Sequence, residues 1–469
     1  MTVPEPQSLS EWLAYLERLH PKAIELGLAR VAEVRQRLAL NPAFPIISVG
    51  GTNGKGSTSA MLEAMLHAAG YRVGCYTSPH LLDYNERVRI GKQAVGDAEL
   101  CAAFAQVERS RGDISLTYFE FGTLAAMQCF IEHKVEVAIL EVGLGGRLDA
   151  VNVFDADCAV VCSVDIDHTE YLGTTREQIA FEKAGIFRNG RVAIFGDEDM
   201  PDMIAEQAGK IGAQLWRIGR EFGYDVRSLT PSPYTRKGYA GGNHVAAQRS
   251  FRSHDGRGGF KLISRGEREQ NIKQWNYRSP AGSRNALPYP ALRGVYQLNN
   301  ASTALAALDA LQEKLPVSME AVRRGLSEVT LPGRFQMVPG RPMLILDVAH
   351  NPHAAHSLAR NLAALPPART FAVFAMLKDK DMAGVARALN GHVDVWLAAG
   401  IGAPRGATAA ELAQVLRDEK IQGEIALFAT PADALRHACN TAAENDRIVA
   451  FGSFYTVAGA MRARGLRGG

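Results

Sequence analysis

The sequence predicts an α/β protein with two domains, and three observations support this prediction. At 469 residues, the chain is longer than one hydrophobic core normally supports. Short apolar runs alternate with segments of helical period, a pattern typical of mainly parallel sheets covered by helices. The alternation forms two series, joined by a stretch at 285–297 that contains prolines and a glycine. We therefore expect one domain at 1–295 and a smaller one at 296–469.

Each series predicts its elements in order. In the first series, apolar runs predict strands at 46–49, 137–141, 158–164 and 192–195. Helical periodicity in the same series predicts helices at 57–69, 119–132 and 176–184. The second series is expected to open with a helix at 300–311. Its apolar runs then predict strands at 344–347, 371–375, 393–398, 425–428 and 448–451.

The stretch at 228–273 fits neither series. It is rich in Gly, Ser and Arg, and residues 227–273 carry ten Lys or Arg against three Asp or Glu. Its low periodicity predicts a solvated or disordered insertion. A nucleic-acid patch is the alternative, but the stretch offers no aromatic platform on which bases could stack.

Composition narrows the class of protein. Hydrophobic residues make up 47% of the chain and charged residues 22%, as in ordinary soluble proteins. A net charge of +3 is too small to indicate a nucleic-acid partner. No apolar run approaches the ~18 residues that span a bilayer, and the N-terminus lacks the features of a secretory signal. The six cysteines are scattered, several in apolar stretches, which predicts buried thiols in a reducing cytoplasm.

A glycine-rich loop, GGTNGKGS at 50–57, follows the first predicted strand and precedes a predicted helix. In this order, backbone N–H groups and the helix N-terminus can surround a triphosphate while Lys55 neutralises its charge. The spacing differs from the usual phosphate loop, because Gly56 separates Lys55 from Ser57. The loop therefore predicts nucleotide binding without indicating which reaction follows.

Further polar residues stand at positions where ligands bind in open α/β sheets. Glu141 ends an apolar strand, and a carboxylate there points into the ligand crevice, where it can bind Mg²⁺. His168 occurs in DIDHTEYLG and Lys183 in FEKAGIF. Each residue alone also has an ordinary structural interpretation. Their occurrence together, in this order, makes the pattern specific.

Eight motifs in one order produce a family resemblance: GTNGKGS, TSPHL, LTYFEF, EVGLGGRLDA, DHTEYLG, EKAGIF, LPGRFQ and DVAHNPHA. The chain resembles, over about 9–459 except the insertion, the bacterial dihydrofolate synthase/folylpolyglutamate synthase family of Mur-ligase-like amide ligases. The resemblance implies a P-loop ATPase-like domain of the Mur-ligase central type, followed by a smaller Rossmann-like domain. It also implies ATP-dependent joining of L-glutamate to 7,8-dihydropteroate and then to reduced folates, through an acyl phosphate, with release of ADP and phosphate.

The resemblance assigns roles to individual residues. It implies ATP contacts at Thr52, Asn53, Gly54, Lys55, Gly56, Ser57, Asn300, Arg334 and Asp347. It implies two Mg²⁺ sites, one at Ser78 and Glu141 and one at His168 and a carbamylated Lys183, with a monovalent cation as a further candidate. The 7,8-dihydropteroate pocket is expected at Thr117, Tyr118, Phe119, Glu120, Leu148, Asp149 and Ala150. His350 and Ser453 are expected near the incoming glutamate, and Lys55, Lys183, Arg334 and His350 are the expected catalytic residues.

Other interpretations stay open at this point. Val151 departs from the family's usual threonine, which removes a hydroxyl beside the pocket. Arg334 could be a surface cation, and Asp347 could cap a helix. The activity could be that of a folylpolyglutamate synthase alone or of a Mur-type peptide ligase, although only about 45 residues precede the loop and leave no room for an extra N-terminal domain. A nucleotide switch is disfavoured, because the sequence lacks the guanine-reading Asn/Thr-Lys-x-Asp motif. We expect small-molecule partners and a monomer.

Overall fold

The structure is a computed structural model that describes residues 6–22, 24–227 and 274–467. The predicted insertion at 228–273 lies outside the described residues. The α/β prediction is confirmed, since two large and mainly parallel sheets carry helices on their faces. None of the described helices is long and apolar enough to cross a membrane.

The first sheet has eight strands in the order β4-β3-β2-β5-β1-β6-β7-β8. Its strands are β1 (Ile46–Gly50), β2 (Val73–Tyr76), β3 (Val88–Ile90), β4 (Gln93–Ala94), β5 (Val137–Glu141), β6 (Cys158–Val161), β7 (Val192–Phe195) and β8 (Gln214–Arg217). The six strands from β2 to β8 are parallel, and β3 and β4 add an antiparallel edge. The central strands β1 and β5 are buried along their whole length, as expected for a sheet covered on both faces.

Helices of the first half cover this sheet. They are α1 (Leu9–Leu19), α2 (Ala29–Arg37), α3 (Lys55–Ala68), α4 (Asp97–Arg111), α5 (Tyr118–Glu132), α6 (Thr169–Leu172), α7 (Arg176–Ala184) and α8 (Asp202–Ile211). Two short 3-10 helices span Tyr84–Arg87 and Ala150–Val153. A small antiparallel sheet follows, with β9 (Gly223–Arg227), β10 (Gln274–Ser279) and β11 (Gly282–Pro288).

The last sheet has six strands in the order β12-β13-β17-β14-β15-β16. Its strands are β12 (Gln336–Val338), β13 (Met343–Leu346), β14 (Thr370–Phe374), β15 (Val395–Ala399), β16 (Glu424–Phe428) and β17 (Arg447–Phe451). Only β12 is antiparallel. The helices that accompany this six-stranded sheet are α11 (Pro352–Ala363), α12 (Met382–Leu389), α13 (Ala409–Asp418), α14 (Pro431–Thr441) and α15 (Phe454–Ala463).

The packing of α9 (Gln297–Ala310) and α10 (Met319–Glu328) corrects the predicted domain boundary at 295/296. Leu305 belongs to the core that contains Ile47 of the first sheet. A Cβ on Gly325 of α10 would lie 2.6 Å from the Cα of Met65, so α10 rests directly on α3. We call the eight-stranded sheet with the helices that pack on it the first unit, and the six-stranded sheet with its helices the second unit. Helices α9 and α10 therefore belong to the first unit. The core of the second unit begins only at Phe335.

Candidate active site

A cleft of about 690 Å³ lies where the two units meet. The first unit contributes the glycine-rich loop at 51–57, together with Ser78 and Glu141. The second unit contributes Arg334 and Asp347. Carboxyl ends of parallel strands meet at one edge of a sheet, which explains why residues distant in sequence converge here.

The glycine-rich loop runs from β1 into the first turn of α3. Gly54 caps this helix with φ +89°, and a Cβ there would lie 2.6 Å from Oδ1 of Asn300. Both its backbone and its surroundings therefore require glycine. The Lys55 ammonium donates to the carbonyl oxygens of Gly51 at 2.9 Å and Thr52 at 3.3 Å. Its charge meets no carboxylate within this loop and stays available to an anion.

Two side chains of the loop hold it to its surroundings. The Thr52 hydroxyl donates to the Asp165 carbonyl at 3.1 Å and accepts from the Asp165 N–H at 3.0 Å. Asn53 exchanges amide hydrogen bonds with Asn351 of the second unit, at 3.4 and 3.1 Å. Ser57 is buried in the first turn of α3. The loop thus contacts both units.

Glu141 is 4% exposed and accepts a hydrogen bond from the Ser78 N–H at 3.3 Å. Burial raises the pKa of its carboxyl, and the charges of Lys55 and Arg334 act in the opposite direction. No group of three or more His, Cys, Asp or Glu side chains among the described residues could hold a metal alone. Mg²⁺ usually takes one or two carboxylates together with substrate phosphates and water. Glu141 and the Ser78 hydroxyl, beside a phosphate loop, fit this donor set.

Lys183 lies on α7 and is 4% exposed, with no hydrogen bond from its ammonium to any described residue. Burial, and then the charge of Lys55, lower its pKa to about 7. His168 lines the same cleft, and burial lowers its pKa to about 4. With a pKa near 7, about half of the amine is neutral at pH 7, and a neutral amine can take up CO₂, whereas an ammonium cannot. The surroundings of Lys183 therefore fit the expected carbamate.

The second unit provides Arg334 and Asp347. The Arg334 guanidinium lies over the ring of Phe454, 5.3 Å from its centroid, and faces the loop beside Gly56. Its interpretation as a surface cation is therefore wrong. Asp347 accepts from the N–H groups of Phe335 at 2.9 Å and Ala349 at 2.8 Å.

The remaining ATP and glutamate candidates line the cleft as well. The side chain that caps α11 is Asn351, so the helix-cap interpretation of Asp347 is wrong. The Asn300 amide donates to Gln297 at 3.1 Å. His350 contacts the Val348 carbonyl through Nδ1 at 2.8 Å, which leaves Nε2 directed at Asp167 at 3.8 Å. Ser453 accepts from the Thr456 N–H at 3.0 Å and caps α15.

The seven residues expected around dihydropteroate do not line this cleft. Thr117 and Glu120 form the capping box of α5, and Glu120 also pairs with Arg30 at 3.1 Å. Asp149 accepts from the N–H groups of Leu144 at 2.8 Å and Val151 at 3.1 Å, and burial raises its pKa to about 7. These side chains shape the wall behind the cleft.

Other members of this group connect the wall to the cleft. The Phe119 ring covers Gly143, where a Cβ would lie 2.7 Å away, and Tyr118 lies under Arg87. Gly143 and Arg87 both line the cleft. The Leu148 carbonyl accepts from the Gly27 N–H at 3.3 Å, and Ala150 and Val151 are buried. The departure at Val151 thus places a methyl group in an apolar core.

Sequence reasoning missed Lys380, which comes from the second unit. Its ammonium donates to Oδ1 of Asp167 at 2.6 Å and lies 3.3 Å from Nε2 of His168. The only signal is a lysine between two acids in LKDKD, which in isolation is typical of a solvated loop.

Comparisons with known proteins agree with this geometry. Residues 49–238 match the Mur ligase middle domain, and residues 333–454 match the Mur ligase glutamate ligase domain. The dihydrofolate synthase/folylpolyglutamate synthase of Escherichia coli (strain K12) is 44% identical over 455 residues, which cover 97% of this chain and 94% of that relative. The structure of E. coli FolC in complex with DHPP and ADP is similar with a TM-score of 0.85, at 42% identity over 99% of both chains. A bifunctional folylpolyglutamate synthase/dihydrofolate synthase with Mn, AMPPNP and L-glutamate bound has a TM-score of 0.83, at 44% identity over 99% of this chain and 100% of that one.

Proposed function

The chain belongs to the dihydrofolate synthase/folylpolyglutamate synthase family of Mur ligases, and from this premise we propose the reaction and the roles of its residues. It is an ATP-dependent ligase that joins L-glutamate to 7,8-dihydropteroate, giving dihydrofolate. It also joins L-glutamate to the glutamate tail of reduced folates, giving folylpolyglutamates. One observation carries the proposal. A phosphate loop, a buried carboxylate and two cations from different units, Lys55 and Arg334, face one cleft.

The chemistry explains why such a cleft is needed. A carboxylate is a poor acyl donor, so ATP first phosphorylates it, and the amine of glutamate then attacks the acyl phosphate. The amide forms while phosphate leaves. The task of the protein is to orient the reactants and to stabilise charge on the phosphates and on the tetrahedral oxyanion. A protein nucleophile is not required, and burial raises the pKa of the nearby Cys162 thiol to about 11.

Each side chain then has a role in the ligation. Lys55 and the N–H groups of the loop hold the phosphates from one side, and Arg334 acts from the other. Asn300, which lies beside Gly54 of the loop, also contacts ATP, and Asp347 lies near its ribose. His350 lies near the incoming amine, and its lowered pKa of about 4 keeps the imidazole neutral. Ser453 contacts the carboxylates of the incoming glutamate.

Divalent metal and ATP are the cofactors, in keeping with the Mn and AMPPNP bound in a relative. We propose two Mg²⁺ sites, one held by Ser78 and Glu141 and one by His168 and carbamylated Lys183. When bound, Mg²⁺ supplies charge neutralisation between the phosphate oxygens. A monovalent cation is a further candidate for which no residues are assigned. The pterin ring is proposed to contact the wall formed by 117–120 and 148–150.

The experiment that tests the proposal is mass spectrometry of the products from dihydropteroate, ATP, Mg²⁺ and L-glutamate. Dihydrofolate and longer glutamate adducts are both expected. Extension of supplied dihydrofolate without conversion of dihydropteroate would reduce the function to that of a folylpolyglutamate synthase. Phosphate release should need both the acid and glutamate. Slow ATP hydrolysis that neither compound accelerates would instead identify a nucleotide switch.

We also propose that the chain works as a monomer in the cytoplasm. All six cysteines are unpaired, as expected in a reducing compartment. Light scattering at micromolar concentration would test the oligomeric state, and the proposal predicts the mass of one chain, 50.7 kDa.

A further inference from the structure

Arg87 lines the cleft, and none of the roles above involves it. Its guanidinium lies over the rings of Tyr84 and Tyr118, 5.4 and 5.6 Å from their centroids. Nε donates to Nδ1 of His80 at 2.8 Å. Among the described residues, no carboxylate forms an ion pair with Arg87. Its charge is therefore not neutralised by a carboxylate of the described residues and can attract an anionic ligand.

The position of Arg87 relates it to two parts of the substrate path. Its carbonyl accepts from the N–H of Thr77 at 2.9 Å, one residue before the candidate metal ligand Ser78. Its guanidinium contacts Tyr118, which belongs to the proposed pterin wall. Arg87 therefore lies between the proposed pterin wall and the candidate metal ligand Ser78.

The two acid substrates differ in what they present on this path. Dihydropteroate has one carboxylate, which is the group that reacts. A folate ends in a glutamate whose γ-carboxylate reacts, while its α-carboxylate lies four C–C bonds away, roughly 5 Å. When the cleft excludes water, an unpaired α-carboxylate is costly. A planar guanidinium can bind it with two parallel hydrogen bonds.

We propose that Arg87 binds the α-carboxylate of the terminal glutamate of folate substrates. It is then a specificity-determining residue of the folate-extending step, where this carboxylate exists, and not of the dihydropteroate step. The aromatic rings and His80 hold the guanidinium at the wall of the cleft. This inference rests on the proposed function.

The test compares dihydrofolate with its analogue in which the α-carboxylate is a carboxamide. Wild-type protein should prefer the carboxylate by about 10–100-fold in kcat/KM, the size expected for a charge-assisted pair. Arg87→Met keeps the aliphatic stem but removes the charge, and should reduce this preference to about one. Arg87→Lys keeps the charge without the planar fork and should give an intermediate value. The exposed Arg417→Met is the matched control and should behave as wild type.

Two outcomes would overturn the inference. In one, Arg87→Met and Arg87→Lys both keep the wild-type preference for the carboxylate. In the other, wild-type protein converts dihydropteroate and dihydrofolate but does not distinguish the carboxylate from the carboxamide, a result that requires no variant to fold. Failure of the proposed function looks different, because wild-type protein would then add no glutamate to dihydropteroate.

Discussion

At the scale of the residue, the cleft holds buried charges that other charges of the protein offset only in part. Lys183 and Glu141 are both buried, yet neither forms an ion pair with a described residue. Burying a charge without a partner costs several kcal/mol. The pKa of the group therefore shifts in the direction that favours its neutral form. The shifts have the expected directions, lower for the lysine and higher for the glutamate. Such sites are retained where a ligand supplies the missing charge.

The first prediction concerns Lys183. Lys183→Ala should lower kcat by about 10²–10³-fold, because the proposed carbamate is lost from the metal site. Small carboxylates should restore part of the activity in this variant. In wild-type protein, the amine with a pKa of about 7 is protonated below that pH and cannot carry CO₂. Activity without added bicarbonate should therefore fall as the pH drops through about 7. Full activity of the alanine variant would refute the assignment, and ¹³C NMR with labelled bicarbonate would observe the carbamate directly.

The second prediction concerns Gly54. Gly54→Ala forces a side chain into a left-handed backbone and against Asn300, so the glycine-rich loop must move. We expect the KM for ATP to rise at least tenfold. Gly209→Ala is the control, because Gly209 lies inside α8 with nothing within 4 Å of an added Cβ. This control should keep activity and add about 0.5–1 kcal/mol of stability. An unchanged KM in Gly54→Ala would show that the loop does not bind the nucleotide.

At the scale of the element, periodicity predicts what one segment forms and not what it packs against. Strand β5 and helix α7 have the predicted bounds, because β5 is an unbroken apolar run and α7 begins with a capping box at Thr175. Strand β4 is only two residues long, too short for any period. Helix α9 was predicted, but assigned to the wrong unit, since its apolar residues do not specify which sheet they cover.

The candidate site likewise contains residues that the sequence could predict and residues that it could not. Lys55, Glu141 and Lys183 could be predicted because short motifs surround each of them. Lys380 could not, because its role depends on the approach of Asp167 from the other unit. The dihydropteroate residues were predicted as contacts. Their contact with dihydropteroate remains a prediction, and in the structure Thr117 and Glu120 form the capping box of α5.

The third prediction concerns the connection between β9 and β10. Arg227 and Gln274 are direct partners in this antiparallel pair, so a two-residue Asn-Gly turn could replace 228–273. The described residues of β9, β10 and β11 do not line the cleft. Replacement of 228–273 should therefore leave kcat and the KM values for ATP and folate within a few-fold of wild type. A tenfold rise in the KM for ATP or folate would show that cations of the replaced segment reach the cleft.

At the scale of the whole molecule, polar contacts join the two units directly across the cleft. Asp167 pairs with Lys380 at 2.6 Å, and Asp165 lies 3.2 Å from His353. The Asn53–Asn351 amide pair adds a contact at the glycine-rich loop itself. Apolar contacts cross the interface as well, since Leu81 and Leu82 of the first unit pack against the core of the second unit. A closed arrangement brings cations of both units to one phosphate and excludes water.

The last prediction tests this closure. Arg334 can act on a phosphate held by Lys55 only when the units meet, because the two residues belong to different units. At low dielectric, one such stabilising group contributes about 10²–10³ in kcat, or ~3–4 kcal/mol. Arg334→Ala should therefore lower kcat by this factor. Dihydropteroate affinity should stay nearly intact, because the proposed pterin wall belongs to the first unit. Arg417→Ala removes an exposed arginine of the second unit and should change neither quantity. An equal loss of dihydropteroate affinity in Arg334→Ala would mean that Arg334 supports the structure of the cleft, and catalysis would then not depend on closure through this residue.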